Sequence, residues 1–261
     1  MTTEKIFQNH SLKGKIALIT GGSRSLGKET AKRLAERGAD IVFTYKSNEK
    51  AARETEAALK EMGARVAVLQ VDLTGSAQIG SFVEAFRDIL QKWGNGKFDI
   101  LVNNAGIISL KPFGQLTDED LDLQYQTNYK SVVLLTQALA DDLNNGGRII
   151  NLGSGTTQHV VPPLFAYAPM KSAIEGVTKY LAKMLGGRGI TVNVVSPGGL
   201  DTDFNQEIFS NPQVVEYVKS QTALGRVGMA EDVGGVIAFL CSEDGRWMTG
   251  ERIGVSGGMS L

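Results

Sequence analysis

Cysteine, histidine and proline are scarce: the 261 residues include one cysteine, two histidines and six prolines. A lone Cys241 cannot form an internal disulfide, and its setting in VIAFLCSE reads as a buried helix face, not an activated thiol. Two histidines do not make a metal cluster. Charge of one sign is missing too. The 27 basic and 28 acidic residues leave a net charge of −1, which removes the electrostatic case for nucleic acid or an anionic membrane surface. No stretch approaches the roughly 20 apolar residues of a spanning helix, and the opening MTTEKIFQNHSLKGK lacks the continuous apolar run of a signal peptide or anchor. These absences predict a cytoplasmic protein whose partners are small molecules and other copies of itself.

What the chain does hold is glycine, 31 residues of it, and a regular alternation of apolar runs with helical stretches. The runs are KIALIT (15–20), DIVFTY (40–45), RVAVLQV (65–71), FDILV (98–102), RIINL (148–152), ITVNVV (190–195) and RIGV (252–255). Most are apolar at successive positions instead of alternating, as in parallel strands covered by helices on each side. Between them lie stretches rich in Ala, Glu, Lys and Leu, such as GKETAKRLAERG (27–38), NEKAARETEAALKEMG (48–63) and SAQIGSFVEAFRDILQKWG (76–94). This alternation predicts an α/β, single-domain Rossmann fold: a doubly wound, seven-stranded parallel sheet with helices on both faces. One domain spans residues 1–261, with 1–12 as an N-terminal extension. The least regular stretch, about 200–225, contains Phe204, Phe209 and Tyr217 and reads as a substrate lid.

TGGSRSLG (20–27) stands between the first run and the first helical stretch. In a strand-turn-helix context, glycines let the backbone approach a pyrophosphate, and the helix N-terminus offers amide hydrogens and a positive dipole. Tyr167 and Lys171, in YAPMK, are four residues apart and share one helix face. Ser154 lies just beyond RIINL, at the carboxyl edge where α/β sheets place their ligands. Pro169 sets the helix start close to Phe165 or Ala166, since proline is tolerated in a first turn. In GTTQHVVPPLFA, Val160, Val161, Leu164 and Phe165 suggest an apolar pocket wall, and His159 stands where it could touch substrate.

In order along the chain, TGGSRSLG, NNAG (103–106), Ser154, YAPMK (167–171) and SPGGLDTD (196–203) resemble the classical short-chain dehydrogenase/reductase family, over essentially all of Lys15–Leu261. Within it the likeness is to 3-oxoacyl-carrier reductases and carbonyl reductases. The resemblance implies that Ser154, Tyr167, Lys171 and Asn128 are catalytic. It also implies cofactor contacts from Gly21, Ser23, Arg24, Ser25 and Leu26 of the loop, from Asp72 and Leu73, and from Asn104, Ala105 and Gly106. Pro197, Gly198, Leu200 and Thr202 would hold the nicotinamide end. Ser25 departs from the family's usual middle glycine, adding a Cβ where positive φ would be disfavoured. In VSGG, Ser256 stands where Asp is usual.

The second run ends FTYKSN with no carboxylate for ribose hydroxyls, while Arg24 and Lys46, beside Tyr45, offer cations to a 2′-phosphate. NADP(H) is therefore favoured, with NAD(H) still compatible. The expected chemistry is hydride exchange between nicotinamide and a carbonyl or secondary alcohol, probed first as ketone reduction. Tyr167 would donate the proton, Ser154 would stabilise the alkoxide, and Asn128 would hold a relay water. Lowering a phenol from about 10 by about three units takes roughly 4 kcal/mol. The Lys171 ammonium at about 4 Å would supply that at an effective dielectric near 20. Preferred alcohol oxidation uses the same residues in reverse, and a cofactor-sensing scaffold without turnover is the alternative of a different class. Retention of Ser154, Tyr167 and Lys171 together favours the enzyme. Family members pair helices like those carrying Asn128 and Tyr167, so a homotetramer is expected, with a dimer as the other assembly.

Overall fold

The inner strands of the sheet, buried at nearly every position, need cover on both faces, and the chain supplies it by alternating strand and helix. The structure is a computed structural model and describes residues 11–259 and Leu261; most of the N-terminal extension, residues 1–10, lies outside the described residues. β1 (Ile16–Ile19), β2 (Asp40–Tyr45), β3 (Val66–Gln70), β4 (Phe98–Asn103), β5 (Leu143–Leu152), β6 (Thr191–Pro197) and β7 (Arg252–Val255) form one sheet. Its order is β3-β2-β1-β4-β5-β6-β7, and every neighbouring pair is parallel. The order reverses between β1 and β4, which opens a crevice at their carboxyl ends.

One face packs against α1 (Ser25–Glu36), α2 (Glu49–Glu61) and α9 (Ala230–Cys241) through Leu34, Leu59 and Ile237. The other packs against α3 (Ile79–Trp93), α5 (Ser131–Leu139) and α6 (Tyr167–Leu185), with Phe86, Leu135 and Ala182 at the contact. The doubly wound architecture is as the sequence predicts. Cys241 is buried in α9, and burial pushes its thiol up to about 12, leaving no thiolate to react.

Three local readings need correction. β5 begins at Leu143, five residues before RIINL, because Asn144–Gly147 bulge into the strand and shift its register against Phe98 and Ile100. The helix after α4 (Asp118–Tyr125) widens into a π turn over Gln126–Lys130 before α5. Residues 203–221 are not irregular. A 3₁₀ turn (Asp203–Asn205) leads into α7 (Gln206–Phe209) and α8 (Pro212–Gln221), where Asn211 caps Gln213 N at 2.9 Å and Pro212 occupies the first turn.

Phe86 is fully buried, with its ring 5.1 Å from Phe98 and 6.2 Å from Phe82. Phe86→Ala should lower the unfolding free energy by about 3–5 kcal/mol, measured by urea denaturation.

Candidate active site

The loop after β1 is shaped by close approach. A Cβ on Gly27 would stand 2.2 Å from the Gly21 carbonyl oxygen, so no larger residue fits there without moving backbone. Ser25, at φ +49, is the one non-glycine residue in the left-handed region among those described. The position does demand positive φ, as the family's glycine implies, and serine meets that demand at a cost of about 1–2 kcal/mol. Arg24, the residue before α1, is extended and makes no side-chain cap bond, and the first turn of α1 has no acidic residue. The first amide hydrogens of this helix thus have no capping side chain and face the crevice, an arrangement that suits a diphosphate.

Asn104 fastens the loop after β4 to this one. Its Nδ2 donates to the Thr20 and Gly21 carbonyls at 2.9 and 3.0 Å, while Thr20 Oγ1 accepts from the amides of Asn104 and Ala105, both at 3.0 Å. Gly106 follows, where a Cβ would meet Asn128 Oδ1 at 2.8 Å and Lys171 Nζ at 3.6 Å.

Gly21, Ser23, Arg24, Ser25, Leu26, Tyr45, Lys46, Asp72, Leu73, Asn104, Ala105, Gly106, Ser154, Tyr167, Lys171, Pro197, Gly198, Leu200 and Thr202 all line one continuous cavity along the carboxyl edge. Arg24 and Lys46 are not free cations here. Lys46 Nζ pairs with Asp72 Oδ2 at 3.0 Å and Arg24 NH1 with Asp203 Oδ2 at 3.8 Å, each pair well exposed. Asp72 also accepts from Thr74 N and Oγ1, so it caps a local turn; α3 starts beyond it, after Gln78.

At the other end of the cavity, α6 starts at Tyr167, with Ala166 as its cap and Pro169 in the first turn, one residue beyond the predicted start. Tyr167 and Lys171 are both buried on one helix face. Lys171 Nζ donates to the Leu152 carbonyl at 2.9 Å and lies 5.6 Å from the Tyr167 ring centroid. Burial pushes the Tyr167 phenol up to about 12, against a lowering hydrogen bond with Ser154, and burial lowers Lys171 to about 8. The expected fall of the phenol is therefore absent in the chain alone. Dehydration of the phenol outweighs an ammonium whose short bond goes to a backbone carbonyl.

Asn128 is fully buried in the π turn, behind the cavity lining. Its Oδ1 accepts from Ile107 N at 3.2 Å, and its Nδ2 donates to Ile107 O at 2.9 Å and Gln124 Oε1 at 2.8 Å. Both amide hydrogens are committed, so the side chain ties helix to loop. π turns occur often at functional sites, and no sequence signal marks this one.

The apolar end of the cavity is lined by Val161, Leu164, Phe204, Ile208, Phe209 and Tyr217, with His159 beside them. Burial and then Arg252 lower the His159 pKa, which favours the neutral imidazole. Val160 is 90% exposed and does not line the cavity. Phe165 also misses the lining and packs instead on Phe113, ring centroids 5.0 Å apart. Ile208 of α7 and Val214 and Val218 of α8 also line it, from a segment whose composition carries no clear helical signal.

Residues 21–260 match the family model described as enoyl-(acyl carrier protein) reductase. The tetrahydroxynaphthalene reductase of Pyricularia oryzae is 35% identical over 97% of this chain and 92% of its own. Among solved structures, the angucycline C-6 ketoreductase LanV with bound NADP superposes with a TM-score of 0.92 at 34% identity, covering 96% of this chain and 97% of that one. The reductase LugOII, which catalyses keto-reduction at C1 during lugdunomycin biosynthesis, gives 0.91 at 39% identity, covering 96% and 100%.

An ammonium whose folded pKa of about 8 lies below its ordinary 10.5 costs stability while it is charged. Between those values the unfolded chain binds more protons, so stability from this group rises with pH across the window and is complete above it. The unfolding free energy of the protein minus that of Lys171→Met should therefore climb from pH 8 to 10.5 in denaturant titrations; a flat difference would contradict the buried ammonium.

Proposed function

This chain belongs to the short-chain dehydrogenase/reductase family of oxidoreductases, and we propose that it reduces a ketone on a fused-ring or otherwise apolar aromatic body to the secondary alcohol, using NADPH. The observation that carries the reading is the convergence of Tyr167, Lys171 and Ser154 on the same cavity that the glycine loop lines. NADPH supplies the hydride. The uncapped start of α1 receives its diphosphate, with Gly21, Ser23, Ser25 and Leu26 against it. Arg24 and Lys46 turn to a 2′-phosphate from exposed pairs worth only about 0–1 kcal/mol each, so exchanging a carboxylate for a phosphate costs little.

Tyr167 stays protonated across the physiological range and donates its proton to the carbonyl oxygen as negative charge develops there. Ser154 donates a hydrogen bond to the same oxygen. Lys171, ammonium at neutral pH, stabilises the phenolate left behind and reaches the nicotinamide ribose. Asn128 pins the π turn to Ile107 and holds a relay water from there. Thr202, Leu200, Gly198 and Pro197 close the nicotinamide end. The substrate class is supported by the apolar lining and by two relatives whose names refer to a naphthalene and an angucycline. Residues 200–225 serve as its lid, because Phe204 lies 6.3 Å ring to ring from Tyr167. Assembly as a homotetramer in the cytoplasm completes the reading.

The test is turnover of 2-tetralone followed by NADPH absorbance. Tyr167→Phe should lower kcat by about a thousandfold or more and leave NADPH affinity within about a fewfold; turnover like that of the unaltered protein would overturn the assignment. In fluorescence titrations NADPH should bind more tightly than NADH, and Arg24→Ala with Lys46→Ala should shrink that preference by about tenfold or more. An unchanged preference would assign the phosphate to other groups.

A further inference from the structure

The turn after Ser154 is braced more heavily than a short 3₁₀ segment needs. Thr157 Oγ1 donates to Glu175 Oε1 at 2.6 Å, and Arg252 Nε donates to the same carboxylate at 2.9 Å. Arg252 also reaches the Ser154 carbonyl at 3.5 Å. Glu175 sits one helical turn beyond Lys171 on α6, and Arg252 opens β7, so α6, β7 and the turn are joined by one partly buried ion pair. The brace holds the backbone of Ser154 but does not touch its hydroxyl.

That hydroxyl is met by Thr156. Ser154 Oγ accepts from Thr156 N at 3.2 Å and lies 2.8 Å from Thr156 Oγ1. A serine hydroxyl has one proton and two lone pairs. The Thr156 amide occupies one lone pair. If the Thr156 hydroxyl donates to the second, the Ser154 proton has only the cavity left to point into, where Tyr167 lies. The reverse direction would spend the Ser154 proton on Thr156 and turn the Thr156 proton, not that of Ser154, into the cavity that both residues line. A Ser154 hydroxyl that donates to the substrate oxygen requires the first direction, and a hydroxyl that already accepts two hydrogen bonds is the stronger donor for it.

We propose that Thr156 is a positioning residue: its hydroxyl donates to Ser154 Oγ and so aims the single Ser154 proton at Tyr167 and the substrate oxygen. The role goes beyond Ser154, Tyr167 and Lys171 themselves, and it rests on the ketone-reductase reading of this cavity. The lowering influence of Ser154 on the Tyr167 phenol is consistent with it.

Thr156→Val keeps the shape and the backbone amide but removes the hydroxyl, and Thr156→Ser keeps the hydroxyl. With 2-tetralone and NADPH, Thr156→Val should lower kcat about tenfold while KM and NADPH affinity stay within about twofold, and Thr156→Ser should recover most of the loss. Turnover of Thr156→Val at the unaltered rate, or an equal loss in Thr156→Ser, would overturn the proposal. A crystal structure of Thr156→Val decides the matter without turnover: Ser154 Oγ should leave its present rotamer, and an unmoved Ser154 overturns the proposal. If the unaltered protein binds NADPH but reduces no ketone, the functional reading falls, and the crystallographic result still judges Thr156.

Discussion

Asn104 makes the hydrogen bonds on which the rest of the site depends. Its side-chain amide ties the loop after β4 to the carbonyls of Thr20 and Gly21 in the loop after β1, at the point where the sheet reverses its strand order. A crevice there is unavoidable in a doubly wound sheet, because the two flanking crossovers leave in opposite directions. The fold alone does not set how wide that crevice stands. The bonds from Asn104 do, and Gly27 admits them: its missing side chain leaves room for the Asn104 amide, which a Cβ would approach to 2.6 Å. From this fixed seam the chain runs through Gly106 to Asn128 and Lys171, so the position of the reactive end is set from the glycine loop outward.

Burial sets the electrostatics of that reactive end. Tyr167 and Lys171 are forced by α6 to share one dry face, and each is pushed toward its neutral form, the phenol up and the ammonium down. The phenol therefore keeps its proton until negative charge arrives with reaction, and a lysine near neutrality can respond to that charge. The site is thus poised by dehydration first, with the hydrogen bond that Lys171 donates to the Leu152 carbonyl and the lowering influence of Ser154 on the phenol as the finer adjustment.

Sequence reading recovers this architecture unevenly, for physical reasons. DIVFTY and RIGV match β2 and β7 residue for residue, because runs of β-branched and aromatic residues end there at charged or glycine-rich turns. Nearly every cavity residue named from the motifs does line the cavity, since close backbone approach restricts which residues fit. Three features escape. The π turn at Gln126–Lys130 depends on one extra residue in a helical run, which leaves the hydrophobic spacing almost unchanged. The early start of β5 passes through Asn144–Gly147, whose composition signals a turn. The pairing of Lys46 with Asp72 is a tertiary contact between two loops that no local pattern encodes.

The segment from Asp203 to Gln221 shows how the two ends of the cavity share one support. Asp203 pairs with Arg24 of the glycine loop, and the next residue, Phe204, lies against Tyr167. An exposed pair at 3.8 Å adds little to stability, so the ion pair cannot be what holds the segment down. Packing does that instead. Gly199 leaves space filled by Val218 and Phe209, where a Cβ would stand 2.9 Å from one and 3.3 Å from the other. Arg24 is consequently free to exchange partners at low cost while Phe204 keeps its place beside Tyr167, and an anion bound at the glycine loop can be accommodated without unpacking the apolar wall.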